Sequence, residues 1–189
     1  MPESKREYPP KFWEEFDPGE PYAGADIARL LRGLGEPPGR NVDVMMHYRV
    51  AIRDATFYSG WPDRNLTAEH NTLTLFALHQ QSQSKLMHVK GIGLGEALRA
   101  LREHSETSAD ALDRRVKALV GADDVEELYE HLRSLVPRLR GIGQRLDYTK
   151  LFFDFWHWHD NDDEHRGRVR LAWGAQYNNL RRKSDNNKE

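Results

Sequence analysis

Between breaks rich in Pro and Gly, the apolar residues of this 189-residue chain recur at steps of three and four and never alternate for long at steps of two. That period belongs to one face of an α-helix, not to a half-buried strand. Asp17-Pro18-Gly19 with Pro21, and then Glu36-Pro37-Pro38-Gly39, bracket Ile27, Leu30, Leu31 and Leu34, which predicts a short helix over 25–34. Val44, Met45, Tyr48 and Ile52 predict another over 42–55, interrupted by Gly60-Trp61-Pro62. Thr67, with Glu69 close behind, reads as the cap of a helix carrying Leu73, Phe76 and Ala77. A helix over 94–103 follows the glycines at 91, 93 and 95. Asp123 and Asp124 put acid at the start of a run formed by Val125, Leu128, Leu132, Leu135, Val136 and Leu139, which Pro137 should kink or end. Asp147 caps a helix with Tyr148, Leu151, Phe152 and Phe155 on one face, and Val169, Ala172, Trp173, Tyr177 and Leu180 line a last one. The fold class predicted is all-α, a single multi-helix bundle. Leu98, Leu128, Leu132, Leu151, Phe152, Trp156, Val169 and Trp173 are its expected core. Residues 1–24 read as a segment packing on the bundle, 25–180 as the helical domain, and 181–189 as a frayed basic and polar tail.

The chain is long enough to bury a core without covalent staples. It contains no Cys, which excludes disulfides, thiolate nucleophiles and Cys-ligated zinc and fits a reducing cytoplasm. The first residues lack the apolar stretch of a secretion signal, and no run approaches the roughly 18 apolar residues of a membrane span. A cytoplasmic protein with no membrane partner is expected.

Lys and Arg number 28 and Asp and Glu 30, a formal charge of −2. The charges are segregated by sign: Glu14, Glu15, Asp17 and Glu20 crowd one end, and a second acidic run spans 160–164. Between His131 and Lys150 five cations (Arg133, Arg138, Arg140, Arg145, Lys150) face one acid, Asp147, and Arg114, Arg115 and Lys117 form another basic group. Such segregation lets a nearly neutral chain present one basic face to a polyanion.

Enzymatic motifs are missing. Lys90-Gly91-Ile92-Gly93-Leu94-Gly95 has GxGxG spacing and no strand before it, so it is no dinucleotide fingerprint, although amides at the following helix start beside Lys90 would suit a phosphate. His157, His159, Asp160 and His165 have metal-binding chemistry, but residues two apart on a helix point to different sides, and only Asp160 could face His157. A metal-dependent hydrolase built on His157, Asp160 and His165 is the one enzymatic alternative. The reading preferred is a protein with no catalytic residue, no metal and no cofactor.

Three ordered motifs resemble one family. Ala28-Arg29-Leu30-Leu31-Arg32 resembles its A-x-L-R-R element; Gly91-Ile92-Gly93-Leu94-Gly95-Glu96-Ala97-Leu98 resembles G-[IV]-S-L-G-R-A-L; and His131-Leu132-Arg133, Leu146-Asp147-Tyr148, Leu151, Trp156 and Leu171-Ala172-Trp173-Gly174 resemble its closing stretch. Together, over about residues 25–180, they are similar to the CasB family, the small subunit of the type I-E Cascade complex in CRISPR interference. Gly93 stands in place of the usual Ser and Glu96 in place of a usual Arg. The resemblance implies a helical, non-catalytic subunit present as a pair of copies. Its implied partners are the backbone and large Cascade subunits, the guide RNA and the target DNA, and its implied task is to hold the target and displaced strands of the R-loop. The candidate phosphate-contacting residues are Arg32 and Arg133, at motif positions, Lys90 at the glycine loop, and Arg114 and Arg115 from local charge. Arg99, Lys117, Arg138, Arg140 and Arg145 stand beside them. The alternative is a scaffold that binds only proteins.

Overall fold

The helix with the most polar side chains is the most deeply buried. In the computed structural model, which describes residues 9–51, 62–104, 108–159 and 163–180, the described residues form nine α-helices. They are α1 (Phe12–Glu15), α2 (Ala23–Leu31), α3 (Val42–Met45), α4 (Arg64–Gln80), α5 (Leu94–Glu103), α6 (Ala109–Gly121), α7 (Val125–Gly141), α8 (Tyr148–Trp158) and α9 (Asp163–Tyr177). Among these residues the one sheet-like contact is an isolated parallel bridge between His88 and Leu146, so the all-α expectation holds.

α4 forms the axis, against which α2, α7 and α8 all pack. Leu73, Leu75, Phe76 and Ala77 have no exposed surface, and Phe76 meets Tyr148 edge to face. Buried polar groups require partners, and those of α4 recruit loops. Glu69, 1% exposed, accepts from the Lys11 ammonium at 3.2 Å through one oxygen and from the backbone N–H groups of Arg49 and Val50 through the other. His70 bridges the Tyr48 hydroxyl and the Glu36 carbonyl. The Gln80 side chain donates to the Gln83 and Lys85 carbonyls and accepts from Met87 N–H. His79 meets the Tyr148 hydroxyl at 2.8 Å, and burial holds its pKa down to about 4, so it is neutral inside the fold. α4 thereby ties down the N-terminal segment, the stretch after α3 and the loop before α5.

Several expected boundaries move. Asp63, not Thr67, caps α4, accepting from Leu66 N–H, and Glu69 is a buried tie instead of a first-turn residue. The helix predicted over 42–55 ends at Met45, capped at its start by Asn41; residues 46–51 are turn and loop, because their N–H groups and side chains are bonded by Glu69 and His70. Ile52, Ala55, Gly60 and Trp61, and the expected tail 181–189, lie outside the described residues. Pro137 does not end the helix: α7 runs through it to Gly141, carried by the burial of Leu135, Val136 and Leu139 on both sides. Asp147 caps α8 as expected, and of the two acids expected at the start of α7 it is Asp124 that caps it.

α8 lays Leu151, Phe152 and Phe155 into the core and stacks Trp158 on Trp173 of α9, with centroids 5.5 Å apart. Seven of the eight expected core residues are buried; Trp156 is half-buried at the surface, and Ala172 and Leu180 are exposed because α9 turns Val169, Trp173 and part of Tyr177 to the core. The Trp173 indole N–H donates to Asp154 at 2.9 Å, and burial pushes that carboxyl up to about 7.

Glu69→Ala strands a buried ammonium and two N–H groups and should cost about 3–5 kcal/mol by urea denaturation, with Glu69→Gln losing less. Asp154 binds its proton up to about pH 7 in the fold but only to about pH 4 when unfolded. Rising pH therefore erodes its contribution across that window. Asp154→Asn keeps an acceptor for Trp173, and its melting temperature should fall less than that of the wild type between pH 5 and pH 8.

Candidate nucleic-acid interface

α6 is a ridge with a cation on each flank. Leu112, Val116 and Leu119, spaced at steps of four and three, bury one face of the helix, and Ser108 caps it. That orientation turns Arg114 and Arg115 outward on one side and Lys117 on the other. The packing of α6 on α7 forms a groove of about 300 Å³ lined by Ala111, Arg114, Arg115, Ala118, His131 and Ser134. Both arginines are exposed, neither makes an ion pair among the described residues, and no acid lines the groove. Arg138 is exposed one turn beyond Ser134 on the same stripe of α7, and it too has no ion pair there. Glu127, 3.5 Å from His131, and Glu130, paired with Arg133, are the acids of α7 toward that end.

The opposite flank holds Arg99, Arg102, Asp113, Lys117 and Tyr177, where α5, α6 and α9 meet. Arg102 binds Asp113 in a fork, through Nε at 2.7 Å and Nη2 at 2.9 Å, and the Tyr177 hydroxyl donates to the same carboxylate. Arg102 and then Tyr177 hold Asp113 down to about 2, so its charge is fully answered. Arg99 bonds Asn179 and lies 3.9 Å from Glu103, leaving Lys117 as the exposed cation of this flank with no ion pair among the described residues.

The other predicted contacts are distributed. Arg32 is exposed and paired with Asp43 at 2.6 Å. Arg133 pairs with Glu130 at 2.9 Å and lies over Gly35, where an added Cβ would sit 2.7 Å from its Nη1. Lys90 is exposed beside Gly91. Arg140 spends Nη1 on the Leu78 carbonyl and the Gln81 side chain, and Arg145 donates to the Leu86 and His88 carbonyls, each at 2.8 Å. These last two are ties between the connecting loops and the core.

The glycine loop, whose following helix start would suit a phosphate, has a packing role. An added Cβ at Gly95 would lie 2.2 Å from the Trp173 carbonyl oxygen, and one at Gly93 2.6 Å from the Gln176 side chain. The two glycines let α9 approach the start of α5. The Gly91 N–H, on a backbone with φ of 101°, donates to Asp147 Oδ2 at 2.7 Å, and Glu96 puts a negative charge in the first turn of α5. Asp160 of the metal reading lies outside the described residues, and among these no cluster of three ligand-type side chains occurs.

Sequence reasoning placed charge at Arg114 and Arg115 without marking the helix that carries them. The spacing of Leu112, Val116 and Leu119 was the available signal. His131 and Ser134, the far wall of the groove, had none, because only the packing of α6 on α7 makes them neighbours.

The model of the CRISPR-associated protein Cse2 family matches residues 26–177. Among solved structures, CasB from Thermobifida fusca is 32% identical with a TM-score of 0.63, over 83% of this chain and 85% of that one. CasB from Thermus thermophilus is 22% identical, with a TM-score of 0.61 over 85% and 90%. A chain of a CRISPR RNA-guided surveillance complex is 18% identical, with a TM-score of 0.63 over 86% and 87%. At those two lower identities the likeness is one of fold. A comparison with curated proteins finds no match.

Gly95→Ala drives a methyl into the α9 backbone and should cost about 1–3 kcal/mol or more in thermal unfolding. Gly91→Ala, which meets no neighbouring atom within 4 Å, should cost only the strain of its positive φ, about 1–2 kcal/mol.

Proposed function

The chain belongs to the CRISPR-associated Cse2 family, and from that premise we propose that it is a non-catalytic subunit of an RNA-guided CRISPR complex of the Cascade type, holding nucleic-acid backbone and steadying the R-loop. The observation that carries this reading is the α6–α7 groove, which among the described residues has no acid in its lining, with Arg114 and Arg115 exposed and in no ion pair there, and Arg138 continuing its line. A phosphate chain needs cations at intervals along a track and no base-reading geometry, and the groove supplies this. Lys117 and Arg99 extend the basic surface across the ridge, while Arg32, Arg133 and Lys90 are further contact points at the margins, the first two exchanging an acid for a phosphate. Arg140 and Arg145 act by holding the loops that shape the surface.

Exchanging a DNA duplex for an RNA–DNA heteroduplex is nearly balanced in free energy, so a few backbone contacts suffice to tip it. Each cation that neutralises a phosphate releases counterion, which makes the hold steep in salt. The domain that does this is residues 25–180, with the N-terminal segment packed on it through the Lys11–Glu69 pair. Its partners are the backbone and large subunits, the guide RNA and target DNA, and a second copy of itself. We assign it to the cytoplasm; among the described residues no helix is long and apolar enough to cross a membrane.

A protein-only scaffold is the second reading. It is favoured by Tyr22, Val42 and Met46, which are 76%, 69% and 76% exposed around α2 and α3, a surface suited to a protein partner.

Arg114→Glu/Arg115→Glu should fold normally, weaken retention of target DNA by the assembled complex, and lower the slope of log K against log salt by about 2. Filter binding at low and moderate salt measures this. Unchanged affinity and slope, with the complex still assembling, would transfer the role to the scaffold reading.

A further inference from the structure

α2 leaves one stripe of its surface uncovered. The helix packs on α4 and buries Ala23, Ile27 and Leu30. Gly24 and Ala28 are exposed, and with Phe16, Ile27 and Leu31 they form one wall of a groove of about 400 Å³. The other wall is the turn at 80–83 that follows α4. That turn is exposed yet fixed. The Gln80 side chain donates to the Gln83 and Lys85 carbonyls, and the Arg140 guanidinium donates to the Gln81 side chain at 2.8 Å. Ser82 is kept in the left-handed region at φ of 60°, which a residue other than glycine rarely adopts. The groove is therefore preformed. An added Cβ at Gly24 meets no atom within 4 Å, so packing inside the fold does not require so small a residue there.

Among the described residues no charged side chain lines this groove. Its rim is acidic. Glu15, Asp17 and Glu20, on the connection from α1 to α2, are exposed and lie within two residues of a lining side chain, and none is in an ion pair among the described residues. Asp17 accepts from the Gly19 N–H at 2.8 Å, a bond that leaves its charge uncompensated. Of the cations close by in the chain or on the facing wall, Arg29 is paired with Asp26, and Arg140 is spent on the Leu78 carbonyl and Gln81. Lys85 is exposed with no ion pair among the described residues, one cation against three acids. Acid at the mouth repels phosphate, and a polyanion gains nothing from an uncharged slot. A protein segment with an apolar side chain between Lys or Arg residues answers both features, since the side chain fills the slot and the cations meet the rim. The basic α6–α7 groove of a second copy has only Ala111 and Ala118 as apolar lining, so that surface supplies no side chain large enough to fill the slot.

We propose that the α2 groove is a docking surface for a protein partner, which inserts an apolar side chain between Gly24, Ala28 and the turn at 80–83 and sets flanking cations against Glu15, Asp17 and Glu20. The chain then has two surfaces of opposite charge, one for nucleic acid and one for protein. The inference rests on the proposed function only in taking the chain to be a subunit of a larger assembly. It does not require the α6–α7 groove to bind nucleic acid.

The full chain should be titrated, by fluorescence anisotropy, with three fluorescein-labelled hexapeptides. The first carries Leu-Phe between two Lys on each side, the second the same pair between two Glu on each side, and the third Ser-Ser between two Lys on each side. The first should bind about tenfold more tightly than either of the others. Gly24→Leu fills the slot with a better helix former, and Ala28→Lys puts a cation in it at an exposed position; each should keep the wild-type melting temperature and weaken the first peptide about tenfold. Should one of the two variants melt early, the other decides. Glu15→Gln/Asp17→Asn/Glu20→Gln should bring the first and second peptides to equal affinity. Arg114→Glu/Arg115→Glu should leave all three affinities unchanged while it weakens retention of DNA, so either reading can fail with the other intact. Failure of the first peptide to bind, or equal affinity with either of the others, overturns the proposal. So does binding that a correctly folded Gly24→Leu or Ala28→Lys leaves untouched. Self-association in sedimentation equilibrium that these variants abolish gives the groove to a second copy, and binding of a thymidine oligonucleotide that they abolish gives it to nucleic acid; either result also overturns it.

Discussion

The bundle depends on the burial of a helix that is not apolar enough to be buried on hydrophobic grounds alone. α4 places Glu69, His70, Thr72, Thr74, His79 and Gln80 in the interior, where an unbonded polar group is costly. The bonds that lower this cost converge on segments without regular structure: Lys11 and residues 49–50 on Glu69, Tyr48 and the Glu36 carbonyl on His70, residues 83–87 on Gln80. Loops that would otherwise have no fixed path are thereby given one.

The basic residues divide by what their guanidinium groups do. Arg140 and Arg145 close the connections around α4 by bonding main-chain carbonyls, and Arg102 is locked to Asp113 and Tyr177. Among the described residues Arg114, Arg115 and Arg138 have no such task; the first two line one groove and the third lies one turn beyond its end. That division matters more than the overall charge of −2, because a cation already bonded in the fold must give up a partner before it can meet a phosphate. Acid is present in quantity but is capping helices, as at Asp124 and Asp147, or buried, as at Glu69.

The sequence by itself determined the helical class, the cap at Asp147, the acidic start of α7 and most of the core, because these follow from period and from local backbone chemistry within a few residues. Three ordered motifs also sufficed to indicate the family. Tertiary structure decided the rest. Pro137 stays helical and 46–51 does not, since packing of Leu135, Val136 and Leu139 outweighs one missing hydrogen bond, while Glu69 and His70 claim the bonds a longer helix would use. Gly95 is small because of Trp173, 78 positions further along the chain. Arg114 and Arg145 are indistinguishable as letters; only the folded chain makes one a free cation and the other a tie, because partners brought together across long stretches of sequence leave no periodic trace in it.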